Sequence, residues 1–173
     1  FFGHIDEHPK VAAVQRAADE KTAIFAEIFH SDWSFLALPP AGTVLYGITI
    51  PPMGGETLFA DQVMAYQQLP DDLRHQVDDL MAIHSAALGY APDGAYGEDD
   101  QALGRSMKIL PSEHARDRHA HPLVRTHREN GSKALFSSAA YITEFVGMEH
   151  EESEALLMRL YAHQTQPDFI YTH

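Results

Sequence analysis

The chain has 173 residues, 45% of them hydrophobic, and a mean hydropathy of -0.27, the balance of one globular domain that buries a core. Twelve Lys and Arg stand against 25 Asp and Glu, a formal charge of -13, which repels phosphate backbones and anionic lipid and supplies no basic patch for nucleic acid. Cysteine is absent, so disulfides, thiolate zinc sites and a cysteine nucleophile are excluded, and any metal must be held by nitrogen and oxygen. No apolar run approaches the ~20 residues of a membrane span. Because the chain opens at Phe1 rather than Met and stops at Tyr171-Thr172-His173, in what reads as a strand, a longer polypeptide is expected.

From Phe1 to Lys21 the pattern is polar and weakly periodic, which predicts loops around a short strand at Val11 to Val14. Thr22 to Phe35 reads as a strand with an embedded polar pair, His30 and Asp32, stopped by Pro39-Pro40. Gly42 to Ile50 alternates, with Val44, Tyr46, Ile48 and Ile50 on one face, and predicts a half-buried strand. Pro51 to Gly55 is a turn, and Thr57 to Ala60 a short strand.

Pro70 followed by Asp71 and Asp72 marks a helix start, with carboxylates complementing the dipole and Leu73, Val77, Leu80 and Met81 as the buried stripe. Gly89 to Gly104, rich in Gly, Asp and Ala, is expected to be a long mobile loop, a common setting for a lid. Leu123 to Thr126 and Lys133 to Ser137 flank a turn at Glu129-Asn130-Gly131-Ser132 and predict a hairpin. Helical spacing returns from Ser153 to His163, with Leu156, Leu157, Leu160 and Tyr161 on one side, and Phe169 to Tyr171 resumes as strand. Met53, Met64, Met107 and Met158 are expected to fill the core. Short strands with Pro and Gly turns plus two helices point to an antiparallel barrel or jelly roll with helices on one face.

On a strand, residues two apart share a face, so the His30 imidazole and Asp32 carboxylate can meet one metal ion if a third ligand arrives from elsewhere. Two histidines and one carboxylate on one face of the ion are the donor set of non-haem Fe(II) oxygenases. By itself the His-x-Asp pair also fits a hydrogen-bonded core or surface pair.

The run Phe29-His30-Ser31-Asp32-Trp33, followed by Pro39-Pro40-Ala41-Gly42, the Thr43 to Ile50 segment and Pro51-Pro52-Met53-Gly54-Gly55-Glu56-Thr57-Leu58, closely resembles the taurine dioxygenase and 2,4-dichlorophenoxyacetate dioxygenase family. His84-Ser85, Gly104-Arg105-Ser106, His121 to His127 and Gly131 to Phe136 follow in the family's order. Phe29 stands where relatives often carry Trp.

The resemblance implies a double-stranded β-helix, mainly β with flanking helices and incomplete at the C-terminus, in a single partial domain over residues 1–173. It implies Fe(II), 2-oxoglutarate as cosubstrate and O2. The reaction would hydroxylate an unactivated C–H of a small anionic substrate (a sulfonate, sulfate ester or aryloxyalkanoate) and release succinate and CO2. His30 and Asp32 are then iron ligands, Thr57 a hydroxyl bonded to a 2-oxoglutarate carboxylate, and Tyr141 an aromatic of the substrate pocket. Relatives place the distal histidine and an arginine for 2-oxoglutarate in a later Trp-Asp-Asn-Arg…His segment that has no counterpart here, and neither His163 nor His173 fits that role. His121, Arg125 and His127 match a motif whose role is structural.

Expected partners are the small-molecule substrate and further copies of the chain, in the cytoplasm, with neither nucleic acid nor membrane. Two rivals remain: a cupin-like or jelly-roll zinc hydrolase that would use the same His-x-Asp pair with a metal-bound water, and a non-catalytic jelly-roll binding protein without the distal half-site.

Overall fold

The structure is a computed structural model that describes residues 1–173. In chain order the elements are β1 (His4–Ile5), β2 (His8–Ala12), β3 (Leu58–Ala60), α1 (Gln62–Gln67), α2 (Asp71–Val77), β4 (Met81–His84), α3 (Ala87–Tyr90) and α4 (Glu98–Ala102). They continue as β5 (His119–Pro122), β6 (Val124–Thr126), β7 (Lys133–Leu135), β8 (Ile142–Phe145), α5 (His150–Gln164) and β9 (Ile170–Thr172), with 3-10 turns at Glu113–Arg116 and Pro167–Phe169. The sheets are small and antiparallel, pairing β1 with β2, β3 with β9, and β6 with β7, and ordering the third as β5-β4-β8. No helix is long and apolar enough to cross a membrane.

Two compact units divide the chain. The first comprises residues 1–27 and 85–118. Its rings from Phe1, Phe2, Phe25, Tyr90 and Tyr96 pack on one another, and the Arg105 guanidinium, nearly enclosed, bridges Asp100 and Glu20. Bonds from Ser106 and Thr22 hold the Glu20 carboxyl down at about 2. The Gly89 to Gly104 stretch is not a structureless loop. It carries α3 and α4, buries Tyr90 and Ala91, and is closed by Tyr96 N–H to Gly89 O (2.9 Å) and Glu98 N–H to Pro92 O (2.9 Å). Composition misleads here because glycine serves close approach as well as mobility: a Cβ on Gly97 would lie 2.2 Å from Pro92 O. The strand expected at Val11 to Val14 forms earlier, as β2.

The second unit, residues 28–84 and 119–173, holds the main core. Its α5 buries Ser153, Leu156, Leu160 and Gln164 along one stripe, against Leu123, Leu135, Ile142 and Phe145 from the sheets. Each fully enclosed Leu contributes about 2 kcal/mol by leaving water. Pro70 starts α2 as its spacing predicts, but the helix stops at Val77, and Met81 opens β4 instead of extending the stripe. Helix α1 has too few turns to show periodicity, yet its cap is legible: Asp61 Oδ1 accepts from Val63 N and Met64 N at 2.9 Å. The predicted hairpin forms as β6 and β7, with Val124 opposite Leu135.

Three further expectations fail. Thr22 to Phe35 forms no strand. Gly42 to Ile50 forms none either, and its apolar face is open to solvent, Val44 at 93% and Ile48 at 86% exposed. Alternation advertises a face, but a strand also needs a ladder partner, and none of residues 1–173 pairs with this segment. Of the four methionines, only Met107 is core; Met53, Met64 and Met158 are exposed.

Candidate metal and substrate site

His30 lies just ahead of a turn that Asp32 opens. Trp33 takes a left-handed backbone (φ 58°), and Ser34 N–H and Leu36 N–H bond back to Ser31 O (3.3 Å) and Trp33 O (3.0 Å), so the backbone coils on itself where a strand would bond sideways. The two side chains nevertheless converge, with Nε2 of His30 3.1 Å from Oδ1 of Asp32. Nδ1 of His30 lies 2.7 Å from the Ile28 carbonyl, which can only accept, so Nδ1 carries the proton. In neutral His30 the Nε2 lone pair therefore faces a carboxylate oxygen. Two acceptors at that distance need a cation between them, either a second ring proton or a metal ion.

As a metal-free pair the two groups share a proton. The bond to Asp32 raises the His30 pKa above its ordinary value against the opposing effect of burial, with the Ile28 carbonyl helping. The same bond lowers Asp32, again against burial, and the Thr43 hydroxyl adds to it. For a metal, two donors each about 2.1 Å from an ion and at right angles lie about 3.0 Å apart, and a backbone carbonyl on the far ring nitrogen is the usual outer partner of a ligating histidine. The pair thus fits an N/O-bound divalent ion. No third His, Asp or Glu of residues 1–173 joins it.

A cavity of about 150 Å³ opens beside His30, walled by Phe29, Leu58 and Phe59 and reached by Gln62, Ser137 and Gln164. A larger hollow of about 320 Å³ near Gln76, Glu152 and Arg159 contains none of the candidate residues. The Tyr141 ring meets His30 edge-on at 5.9 Å and Phe35 at 4.8 Å.

The family model for the taurine catabolism dioxygenase TauD, TfdA family matches residues 1–173. The chain belongs to the TauD/TfdA family. It is 34% identical over 162 residues to an alpha-ketoglutarate-dependent 2,4-dichlorophenoxyacetate dioxygenase of Cupriavidus pinatubonensis, covering 92% of this chain and 52% of that protein. An alpha-ketoglutarate-dependent sulfate ester dioxygenase of Pseudomonas putida is 32% identical over 144 residues, 82% of this chain and 46% of its own length. Among solved structures, a taurine dioxygenase from Burkholderia xenovorans superposes with a TM-score of 0.71 at 31% identity, over 100% of this chain and 51% of that one. The chain spans about half the length of these TauD/TfdA relatives.

Of the residues singled out by the TauD/TfdA motifs, the structure gathers His30, Asp32 and Tyr141. Thr57 sits just ahead of β3, its backbone paired with His173 (3.0 and 2.9 Å); its neighbours Leu58 and Phe59, rather than Thr57 itself, line the cavity. Sequence reasoning passed over Gln62, Ser137 and Gln164, each with a buried oxygen lacking a hydrogen-bond partner. Their one signal is positional: Gln62 follows a helix cap, and Gln164 ends the buried stripe of α5. It also treated His84 only as a motif letter. His84 is fully enclosed on β4.

Proposed function

We propose that this chain supplies the first two iron ligands of an Fe(II)- and 2-oxoglutarate-dependent dioxygenase built on a double-stranded β-helix, with His30 and Asp32 as those ligands. The observation that carries the reading is the convergence of His30 Nε2 on the Asp32 carboxylate at 3.1 Å, with the Ile28 carbonyl orienting the ring through Nδ1 at 2.7 Å. Family membership supports Fe(II) as the ion: relatives of this chain are alpha-ketoglutarate-dependent dioxygenases. Bound Fe(II), with 2-oxoglutarate and O2, supplies the oxidising power that hydroxylates an unactivated C–H bond, the cosubstrate leaving as succinate and CO2.

The chain's own residues hold and shape that site. Asp32 offers an anionic oxygen, His30 a neutral nitrogen whose ring is oriented by the Ile28 carbonyl, and the Thr57 hydroxyl a short donor for a 2-oxoglutarate carboxylate. Tyr141 and Phe29 present aromatic surface toward a small substrate, a sulfonate, sulfate ester or aryloxyalkanoate. In this reading a third ligand and a cation for the far carboxylate of 2-oxoglutarate complete the site around His30 and Asp32. The working enzyme is a cytoplasmic homo-oligomer.

The test is succinate release by a polypeptide extended beyond His173, given Fe(II), 2-oxoglutarate, O2 and a panel of those three substrate classes. Substrate-dependent succinate is expected, falling at least ~100-fold in Asp32→Ala. Substrate turnover that is indifferent to 2-oxoglutarate but restored by Zn(II) would replace the oxygenase reading with a hydrolase.

A further inference from the structure

The turn that carries His30 and Asp32 has no ladder to hold it, and two histidines from neighbouring strands reach it instead. Nδ1 of His84 on β4 lies 3.0 Å from the Ser34 hydroxyl, and Nε2 of His121 on β5 lies 2.8 Å from the Leu36 carbonyl. In the sheet register His84 pairs with His119 and Ala82 with His121, so the two rings are diagonal neighbours on one face, their centroids 5.3 Å apart. Phe136 closes the group, stacked on His84 at 5.3 Å and edge-on to His121 at 5.8 Å, and the Arg125 guanidinium lies over its far side at 4.5 Å.

Burial makes this arrangement informative. Ser34 and His84 are both fully enclosed, and Nε2 of His84 has no partner at all. A buried polar atom left unpaired is costly, so a leucine or phenylalanine would fill this place at less expense unless the other ring nitrogen mattered. What that nitrogen holds is Ser34, two residues from Asp32. Two residues of chain span at most about 7 Å, so Asp32 cannot keep its position if Ser34 leaves its own. Phe35, buried between the two anchor points against Tyr141, ties the same stretch from its other side.

We propose that His84 and His121 are positioning residues: they clamp Ser34 to Leu36 onto the β5-β4-β8 sheet and thereby fix where the His30 and Asp32 donors point. The inference rests on the reading of those two donors as metal ligands. It gives the sheet a functional task, since β4 and β5 carry none of the candidate ligands and contribute through the clamp.

The experiment is an NMR titration of the full chain with Mn(II), whose paramagnetic broadening reports even weak binding near His30, paired with amide exchange residue by residue. His121→Phe keeps an aromatic ring and removes the donor; His121→Gln keeps a donor at the Nε2 position; Ser34→Ala removes one oxygen. In His121→Phe and Ser34→Ala, exchange at residues 34–36 is expected to rise roughly fivefold while α5 amides keep their protection, and Mn(II) affinity to fall by roughly threefold or more. His121→Gln restores both. A purely structural role would instead loosen β4, β5 and α5 together. Unchanged protection at residues 34–36 overturns the clamp, and so does a loosened turn with unchanged Mn(II) affinity. If the wild-type chain shows no broadening at His30, or broadening that survives Asp32→Ala, the metal reading itself falls and the ligand-positioning role with it, whatever the exchange data show.

Discussion

Residues 28–36 and residues 42–53 invert what their patterns advertise. The second stretch alternates over Gly42 to Ile50 yet leaves its apolar face in solvent, while the first has no regular structure and is pinned at Ser34 and Leu36 by two buried histidines. Backbone order in this protein therefore follows who supplies the partner. Where side chains provide bonds, an irregular turn is fixed; where a face has nothing to cover it, alternation alone does not make a strand.

The largest test of that contrast is a pair of truncations. Phe35→Ala empties a site only 5% exposed and is expected to cost about 3–5 kcal/mol, whereas Tyr46→Ala, at a residue 83% exposed, should change stability by less than about 0.5 kcal/mol. Urea midpoints of both variants check it. Equal losses would mean that residues 42–53 are covered in solution.

A second prediction uses pH. Burial, reinforced by repulsion from His121 and Arg125, pushes His84 down to about 3. An unfolded histidine takes its proton near 6.5, so between those values the unfolded chain binds a proton that the folded chain refuses, and stability falls as pH drops below about 6.5. The expected loss from this group is about 2 kcal/mol by pH 5, before most carboxylates titrate. His121, lowered by burial, adds to the slope, while His30, raised by Asp32, acts against it. Urea melts of the wild type and His84→Phe at pH 7 and pH 5 isolate the His84 share: the variant should be distinctly less pH-sensitive, and equal slopes would mean that His84 is hydrated.

The smallest effect lies in the open segment. Gly54 has φ 77° and empty space where a Cβ would go, so Gly54→Ala should cost about 1 kcal/mol, all of it backbone strain. Thermal melts would read it. A much larger loss would reveal a packed neighbour.

Much of the fold was legible where local chemistry and packing agree. Pro70 with two aspartates starts α2, the 123–137 hairpin has its turn residues, and α5 has a stripe with a core to meet. His30 and Asp32 were found through a motif, but the argument that two residues on a strand share a face was the wrong reason for a right convergence. A left-handed Trp33 and a self-bonded turn bring the pair together, and nothing in residue order reveals a positive φ at a tryptophan. The roles of Gln62, Ser137 and Gln164, and the clamp at His84, are invisible in the sequence because burial and unpaired atoms depend on neighbours distant in the chain.

Composition, motif order and local turn chemistry determined the class of protein, the absence of sulfur ligands, the start of α2 and the hairpin, since each depends on residues close together in sequence. Tertiary structure alone decided which nitrogen of His30 faces Asp32, which histidines hold the turn, and which patterned face stays uncovered. Those outcomes rest on contacts between residues as far apart as Ser34 and His84, and no local propensity encodes such a distance.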